Sequence, residues 1–248
     1  MEANKMDRGS DAMKTHLSSV PKIQVRQTRR GWLQECIGCE AKSEFKYFIE
    51  GNQFADSLED SDCCIRLFCS PCHPFKMMVK DTASTAEILT MDRPFACPVG
   101  NCKCCCYQVM SFSSGGSELG SIKEDCYYCV PQFTMFDHSG NEVYIVHPPT
   151  CCGGVCYNCC AEGKNCFAVC CKVPFHVFPA SQKGSTDGGA QHAGKIVKLP
   201  KSLMTEILTE ANAFDVEFPT SASADQKAML TGTAIFLNAN FFEQSQDG

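Results

Sequence analysis

The chain has 248 residues, 44% of them hydrophobic, and a formal net charge of −6. That is enough apolar material for a real core, and the acidic balance argues against general nucleic-acid binding, which shows as a basic excess. The 21 cysteines follow an N-terminus, Met1-Glu2-Ala3-Asn4-Lys5-Met6-Asp7-Arg8, that has no apolar h-region and no small-residue cleavage site. A reducing compartment is therefore expected, where thiols serve metal ligation, lipid attachment or burial rather than disulfides.

In chain order, residues 1–30 read as a basic, disordered N-terminal arm. They hold seven Lys/Arg against three acids, so this stretch carries +4 and the remainder −10. Such an arm is either a solvated leader or is drawn to an anionic membrane surface, at roughly 1 kcal/mol per cation. Residues 31–248 read as one domain. Phe45, Tyr47 and Ile49 fall on one side of a strand. Strand-like runs recur at Pro74–Val79, Glu87–Met91, Gln132–Phe136, Glu142–Val146 and Phe175–Phe178, with Asp137-His138-Ser139-Gly140-Asn141 as a hairpin turn. The expected fold class is mostly β and antiparallel.

The same order of parts occurs twice: two strands, proline, a cysteine cluster, a strand and a Gly-x-Ile. The first unit ends on Gly120-Ser121-Ile122, the second on Gly194-Lys195-Ile196. Neither half closes its own edges, so both are expected to share one barrel or sandwich. From Leu199 the pattern turns helical, with Leu203, Met204, Ile207, Leu208, Ala211 and Phe214 at steps of three and four, and Pro219 ending it. A second helix is expected at about 228–242, apolar but for Gly232, Asn238 and Asn240. Fifteen residues span ~22 Å, short of the ~30 Å hydrocarbon core, which favours the protein interior over the bilayer.

Four Cys-x-x-Cys pairs lie outside the cysteine run at 102–106. Two such pairs can hold zinc, since a short loop brings both sulfurs within about 2.3 Å of one ion, and Cys69, Cys72, Cys126 and Cys129 form the candidate set. The gaps between pairs exceed the usual ribbon spacing of roughly 15–20 residues. The run Lys103-Cys104-Cys105-Cys106, preceded by Cys102, suits thioester acylation better, because neighbouring thiols on an extended chain face opposite ways and cannot share an ion. Burial covers isolated thiols such as Cys166. No Gly-rich phosphate loop, Gly-x-Ser-x-Gly elbow or His-Glu-x-x-His is present, so no enzyme is expected.

These residues together resemble the phospholipid scramblase family. Asp60-Ser61-Asp62-Cys63-Cys64-Ile65-Arg66 before Pro74-Phe75 is similar to its Asp-x-Asp-Cys-Cys-x-Arg segment. Arg93-Pro94-Phe95-Ala96-Cys97, then Cys104-Cys105-Cys106-Tyr107-Gln108, resembles its Arg-Pro-Leu-x-Cys and polycysteine runs. Gly194-Lys195-Ile196-Val197-Lys198 and the stretch from Asn212 to Phe241-Phe242-Glu243 match further segments. Residues 1–32 do not resemble the family's long Pro-rich N-terminal region. The resemblance implies a tubby-like β-barrel closed around the C-terminal helix. The implied activity is Ca2+-triggered, ATP-independent, bidirectional phospholipid movement across the bilayer. It also implies covalent palmitate on Cys102, Cys104, Cys105 and Cys106, residence at the cytoplasmic face of the plasma membrane, and a nuclear-import segment at Gly194–Lys198. The family's calcium loop falls with its first and third positions on Glu210 and Asn212, Phe214 and Ser221 replace its fifth and twelfth, and Asp215 and Glu217 remain as weak candidates off register. Calcium affinity is expected to be millimolar at best. A lone ~22 Å helix supplies only a fragment of a polar path for a headgroup. Transport thus calls for a homo-oligomer, and the alternative is a membrane-tethered lipid-binding or interaction module that translocates nothing.

Overall fold

The computed structural model describes residues 11–29, 43–62, 73–96, 106–127, 129–151, 156–158, 173–183, 191–199 and 212–242. A short helix, α1, covers residues 11–17. Twelve strands follow in one antiparallel sheet: β1 (Lys22–Arg29), β2 (Ser43–Ile49), β3 (Asn52–Asp60), β4 (Phe75–Asp81), β5 (Glu87–Arg93), β6 (Val109–Ser114), β7 (Ser117–Glu124), β8 (Phe133–Asp137), β9 (Glu142–His147), β12 (Val173–Pro179), β13 (Gly194–Leu199) and β14 (Ala213–Glu217). Two-residue strands β10 (Thr150–Cys151) and β11 (Cys156–Tyr157) pair as a separate hairpin between β9 and β12. The sheet closes on itself through β1, which pairs with both β14 and β2, so the barrel keeps no open edge.

Closure corrects the expected N-terminal boundary. The stretch read as a disordered arm contributes α1 and β1. Ile23, Val25 and Gln27 alternate into the interior while Lys22, Gln24 and Arg26 face outward, so the basic residues decorate the wall of a strand. On α1, Met13 and Leu17 lie four apart on one face and are buried. The expected helix reaching Phe214 is also corrected at its two ends, since Leu199 ends β13 and Ala213–Phe214 begin β14. Positions 200–211 lie outside the described residues.

The doubled unit has a structural counterpart. Strands β4–β7 and then β8, β9, β12 and β13 run in the same order around the wall. Each set ends on the strand carrying its Gly-x-Ile. A methyl group on Gly120 would collide with the Phe136 carbonyl, and one on Gly194 would lie 2.6 Å from the Glu217 carbonyl. Glycine at both positions lets the next stretch of backbone press close. Between β2 and β3 the two-residue turn Glu50-Gly51 has positive φ at both positions, 50° and 85°, as a tight hairpin of this twist needs.

The barrel interior is filled by helix α2 (Ala224–Leu237), which continues as a π-helical turn, Asn238–Phe242. It starts four residues earlier than the apolar run because Ser223 and Gln226 form a reciprocal capping box. Every residue from Lys227 to Leu237 is buried. A helix enclosed by a barrel has no solvent face, which is why its sequence is apolar all round. The Thr231 and Thr233 hydroxyls donate to the carbonyls of Lys227 and Met229, at 2.8 and 2.9 Å, so neither is buried unsatisfied. At the helix start, Lys227 Nζ donates to the Ser18 and Val20 carbonyls, both at 2.9 Å, fastening the segment between α1 and β1 over that end.

Candidate functional site

Because neighbouring strands alternate in direction, the connections fall into two sets, one at each barrel end. One set comprises residues 30–42, 61–74, 94–108, 125–132, 148–172 and 200–212; the other comprises 50–51, 82–86, 115–116, 138–141, 180–193 and 218–223. All 21 cysteines belong by chain position to the first set, and none lies in a barrel strand or in α2. Free cysteine is ordinarily among the most buried residue types. Cys106 and Cys151 are half-buried, and Cys126, Cys129 and Cys156 are exposed. Burial in the barrel core therefore accounts for none of these five thiols.

Large exposed apolar side chains gather at the same end. Phe95 follows β5 and is 55% exposed, and Tyr157 on β11 is 40% exposed. Leu58 and Met78 face each other across β3 and β4, close to where those strands enter this end.

The last turn of the terminal helix emerges here and is locked by a buried polar hub. Arg93, at the end of β5, is 1% exposed. Its Nη2 donates to Gln108 Oε1 at 2.8 Å and to Asn240 Oδ1 at 3.1 Å, and its Nη1 reaches the His73 carbonyl at 3.4 Å. The Gln108 backbone N–H donates to the Glu124 carboxylate at 2.9 Å, and its side chain donates to the Ala96 carbonyl at 2.9 Å. A guanidinium beside a helix C-terminus also meets the negative end of the helix dipole. On the neighbouring strands, Glu59 accepts from His73 Nε2 at 3.2 Å and from the Ser61 hydroxyl. Burial, aided by the Glu124 carboxylate, pushes the Tyr127 phenol up.

Among the described residues, two recesses open at this end. An open cleft of about 520 Å³ is bounded by the charged Asp60, Asp62, Lys76, Asp92 and Arg93 together with Pro74, Phe75 and Pro94. A smaller cavity of about 280 Å³ is bounded by Cys129, Val130, Pro131, Pro148, Tyr157, Val173, Phe175, Phe241 and Phe242.

The residues expected to form sites are distributed as follows. Of the acylation set, Cys106 is half-buried where the chain returns to β6, and Cys102, Cys104 and Cys105 lie outside the described residues. Of the zinc set, Cys126 and Cys129 are free and exposed, and Cys69 and Cys72 lie outside the described residues. Among the described residues, no three His, Cys, Asp or Glu stand close enough to hold a metal ion.

The described members of the calcium set do not converge. Asn212 points inward and is buried, its Nδ2 donating to Asn238 Oδ1 at 2.9 Å. Asp215 and Glu217 lie on the outward face of β14, where Asp215 accepts from Lys22 at 2.7 Å and Glu217 pairs with Lys195 at 3.7 Å. An extended strand turns alternate side chains to opposite faces, so these three cannot surround one ion. Glu210 lies outside the described residues.

Asn240 therefore serves the hub by accepting from Arg93, and Asn238 accepts from Asn212. Gly232 sits where α2 meets Phe112 and Met91. Gly194–Lys198 is paired along β13 on both sides, with β12 and β14, so its backbone is not free to be read as an extended peptide. In the sequence Arg93 and Gln108 stand only within motifs, and nothing local joins them into a hub. The available signal was an arginine at an inward position of an alternating strand.

A family model described as Scramblase matches residues 2–244. The chain is 25% identical over 237 residues to phospholipid scramblase 1 of Homo sapiens, an alignment covering 93% of this chain and 65% of that protein. It is 27% identical over 217 residues to phospholipid scramblase 2 of Bos taurus, covering 86% and 66%. It is 26% identical over 218 residues to phospholipid scramblase family member 5 of Homo sapiens, covering 86% and 70%. The chain thus spans just under two thirds of the length of the first two relatives. No solved structure matches it. With a family model matched along nearly its whole length and a closed barrel around a C-terminal helix, the chain belongs to the Scramblase family.

Proposed function

We propose that this protein docks on a phospholipid bilayer through its cysteine-bearing barrel end and moves phospholipids between leaflets, in both directions and without ATP. The observation that carries the docking is that every cysteine falls, by chain position, in the connections of one end, where Phe95 and Tyr157 are exposed. Acyl thioesters on Cys102, Cys104, Cys105 and Cys106 add about 0.8 kcal/mol per buried methylene, and two or more chains hold a soluble domain on a membrane firmly. The cytoplasmic face of the plasma membrane fits a reducing compartment with acylated thiols. The names of the relatives support the lipid-moving half of the reading.

The filled barrel constrains how lipid can move. Helix α2 occupies the interior, and among the described residues no helix is long and apolar enough to cross a membrane. A headgroup therefore passes along the docked end or between copies of the chain, not through the barrel. The outward, lysine-paired positions of Asp215 and Glu217 support exchange that does not respond to calcium below the millimolar range. The second reading is a tethered module that binds lipid and partners without translocation, and the filled interior is what favours it. Liposomes labelled in one leaflet separate the two. The acylated protein should speed loss of leaflet asymmetry over protein-free vesicles, equally with chelator and with micromolar calcium. Stable binding without faster exchange would establish the module instead.

A further inference from the structure

The small cavity at the cysteine-bearing end has walls of a different character from the cleft at β3–β5. Apart from Cys129 and Tyr157, every side chain that bounds it is hydrocarbon. A resident water needs two to four polar partners, and such walls offer few. At about 280 Å³ the cavity falls just short of the ~300–1,000 Å³ that encloses a drug-sized ligand, so it suits part of an apolar molecule. Its floor is fixed by an aromatic cluster: Phe241 packs against Phe133 and Phe175 at 5.9 and 6.0 Å, and Phe242 against Phe214 at 5.8 Å. These rings also hold the last turn of the terminal helix, so the cavity is built into the closure of the barrel. Lys198, outside the walls themselves, sets its Nζ 4.0 Å from the centroid of the Phe242 ring that bounds the cavity.

We propose that this cavity seats the end of one acyl chain of a membrane phospholipid, with the phosphate of that lipid held near Lys198. The apolar walls match a hydrocarbon chain, the ammonium complements a phosphate, and the cavity opens at the end that we have placed against the bilayer. The proposal rests on that docking reading but not on translocation. It supplies a contact that could draw a lipid partly out of its leaflet, which an interior filled by α2 cannot do.

The test uses the full-length acylated chain on liposomes that contain phosphatidylserine bearing a diazirine at the acyl terminus, with cross-links mapped by peptide mass spectrometry. The account expects labelling on the peptides that hold Val130 and Phe241–Phe242. Filling the cavity with Val173→Phe should lower that labelling about tenfold while vesicle binding stays unchanged, and Pro131→Trp should do the same from another wall. Lys198→Gln should lower labelling by the phosphatidylserine probe several-fold, with the thermal unfolding midpoint as a control for folding. Label confined to Leu58, Met78 and Phe95, or cavity label untouched by both filling variants, overturns the proposal. So does a hydroxylamine-cleavable acyl group on Cys129 whose removal by Cys129→Ala first makes the cavity accessible to the probe, because the chain's own acyl group then occupies it. Leaflet exchange measured in the same vesicles keeps the two ideas apart. Exchange with filling-insensitive label sinks the seat alone, and cavity-dependent label without exchange sinks translocation alone.

Discussion

Gly232 tests whether the terminal helix belongs to the barrel. A methyl group at this position would run into Phe112 Cε1, with Cδ1 of the same ring at 3.0 Å and Met91 Sδ at 3.2 Å. Both neighbours are buried on barrel strands, Phe112 on β6 and Met91 on β5, so their backbones are held by ladder pairing. The ring would have to retreat by about 1 Å to restore carbon–carbon contacts of ~3.5–4.0 Å. Overpacking of this kind costs about 1–3 kcal/mol, while Gly→Ala within a helix gains about 1 kcal/mol in propensity. Gly232→Ala should therefore lose about 1 kcal/mol net, and Gly232→Val, with a larger and β-branched side chain, more than about 3 kcal/mol. Phe112→Leu should relieve the clash, so the double variant should couple by about 0.5–3 kcal/mol in a cycle. Urea unfolding followed by circular dichroism reads these values as midpoint shifts at constant slope. If Gly232→Ala is stabilising by its propensity gain, or the two substitutions simply add, α2 does not pack on β6 and the interior has been misassigned.

Three further outcomes follow from the same geometry. Arg93→Met removes the donors to Gln108, Asn240 and the His73 carbonyl at once, and should cost about 3 kcal/mol or more in urea; Arg93→Lys should recover less than half, since an ammonium lacks the planar fork. At Asp81, burial raises the carboxyl pKa, but donors from the Ser84 side chain and from the Ala83 and Ser84 backbone outweigh it and hold the group below its ordinary 3.8. Its stabilising share is thus complete above about pH 4 and is lost as pH falls through the lower folded value, so Asp81→Asn should flatten the acid limb of the stability profile below about pH 4. Serine at Cys102, Cys104, Cys105 and Cys106 together should abolish most hydroxylamine-sensitive acylation and shift the protein from the membrane to the soluble fraction; undiminished acylation would place the lipid on the other connections.

What the sequence disclosed followed the regularity of its local patterns. The β8–β9 hairpin was legible because Asp137-His138-Ser139-Gly140-Asn141 is strong turn chemistry, and the Asp137 carboxylate does accept from the Ser139 and Asn141 backbone. The terminal helix was legible because an unbroken apolar run too short for a bilayer has few other places to go. Strand β1 was not, because its cations drew attention to charge when the inward positions Ile23, Val25 and Gln27 set the fold. The acids of β14 were read as a loop, since their pairing with Lys22 and Lys195 spans long sequence separations that no local pattern encodes. The hub around Arg93 joins β5, the stretch before β6, and the helix end, so it exists only once the barrel closes. The assignment of the cysteines to one set of connections has the same origin: their positions are plain in the sequence, but only the alternation of twelve strands separates those connections from a cysteine-free set.

The central claim is that this cysteine-bearing end meets the membrane while the opposite end stays in water. The chain has a single tryptophan, Trp32, so a Trp32→Phe background gives one reporter at a time. The measurement is quenching of that reporter by phospholipids brominated in their acyl chains, with the acylated protein bound to liposomes. The account predicts strong quenching of tryptophan at position 157, from Tyr157→Trp on β11. It predicts none at position 138, from His138→Trp in the β8–β9 turn at the far end. Equal quenching at both positions, or quenching at 138 alone, would contradict it.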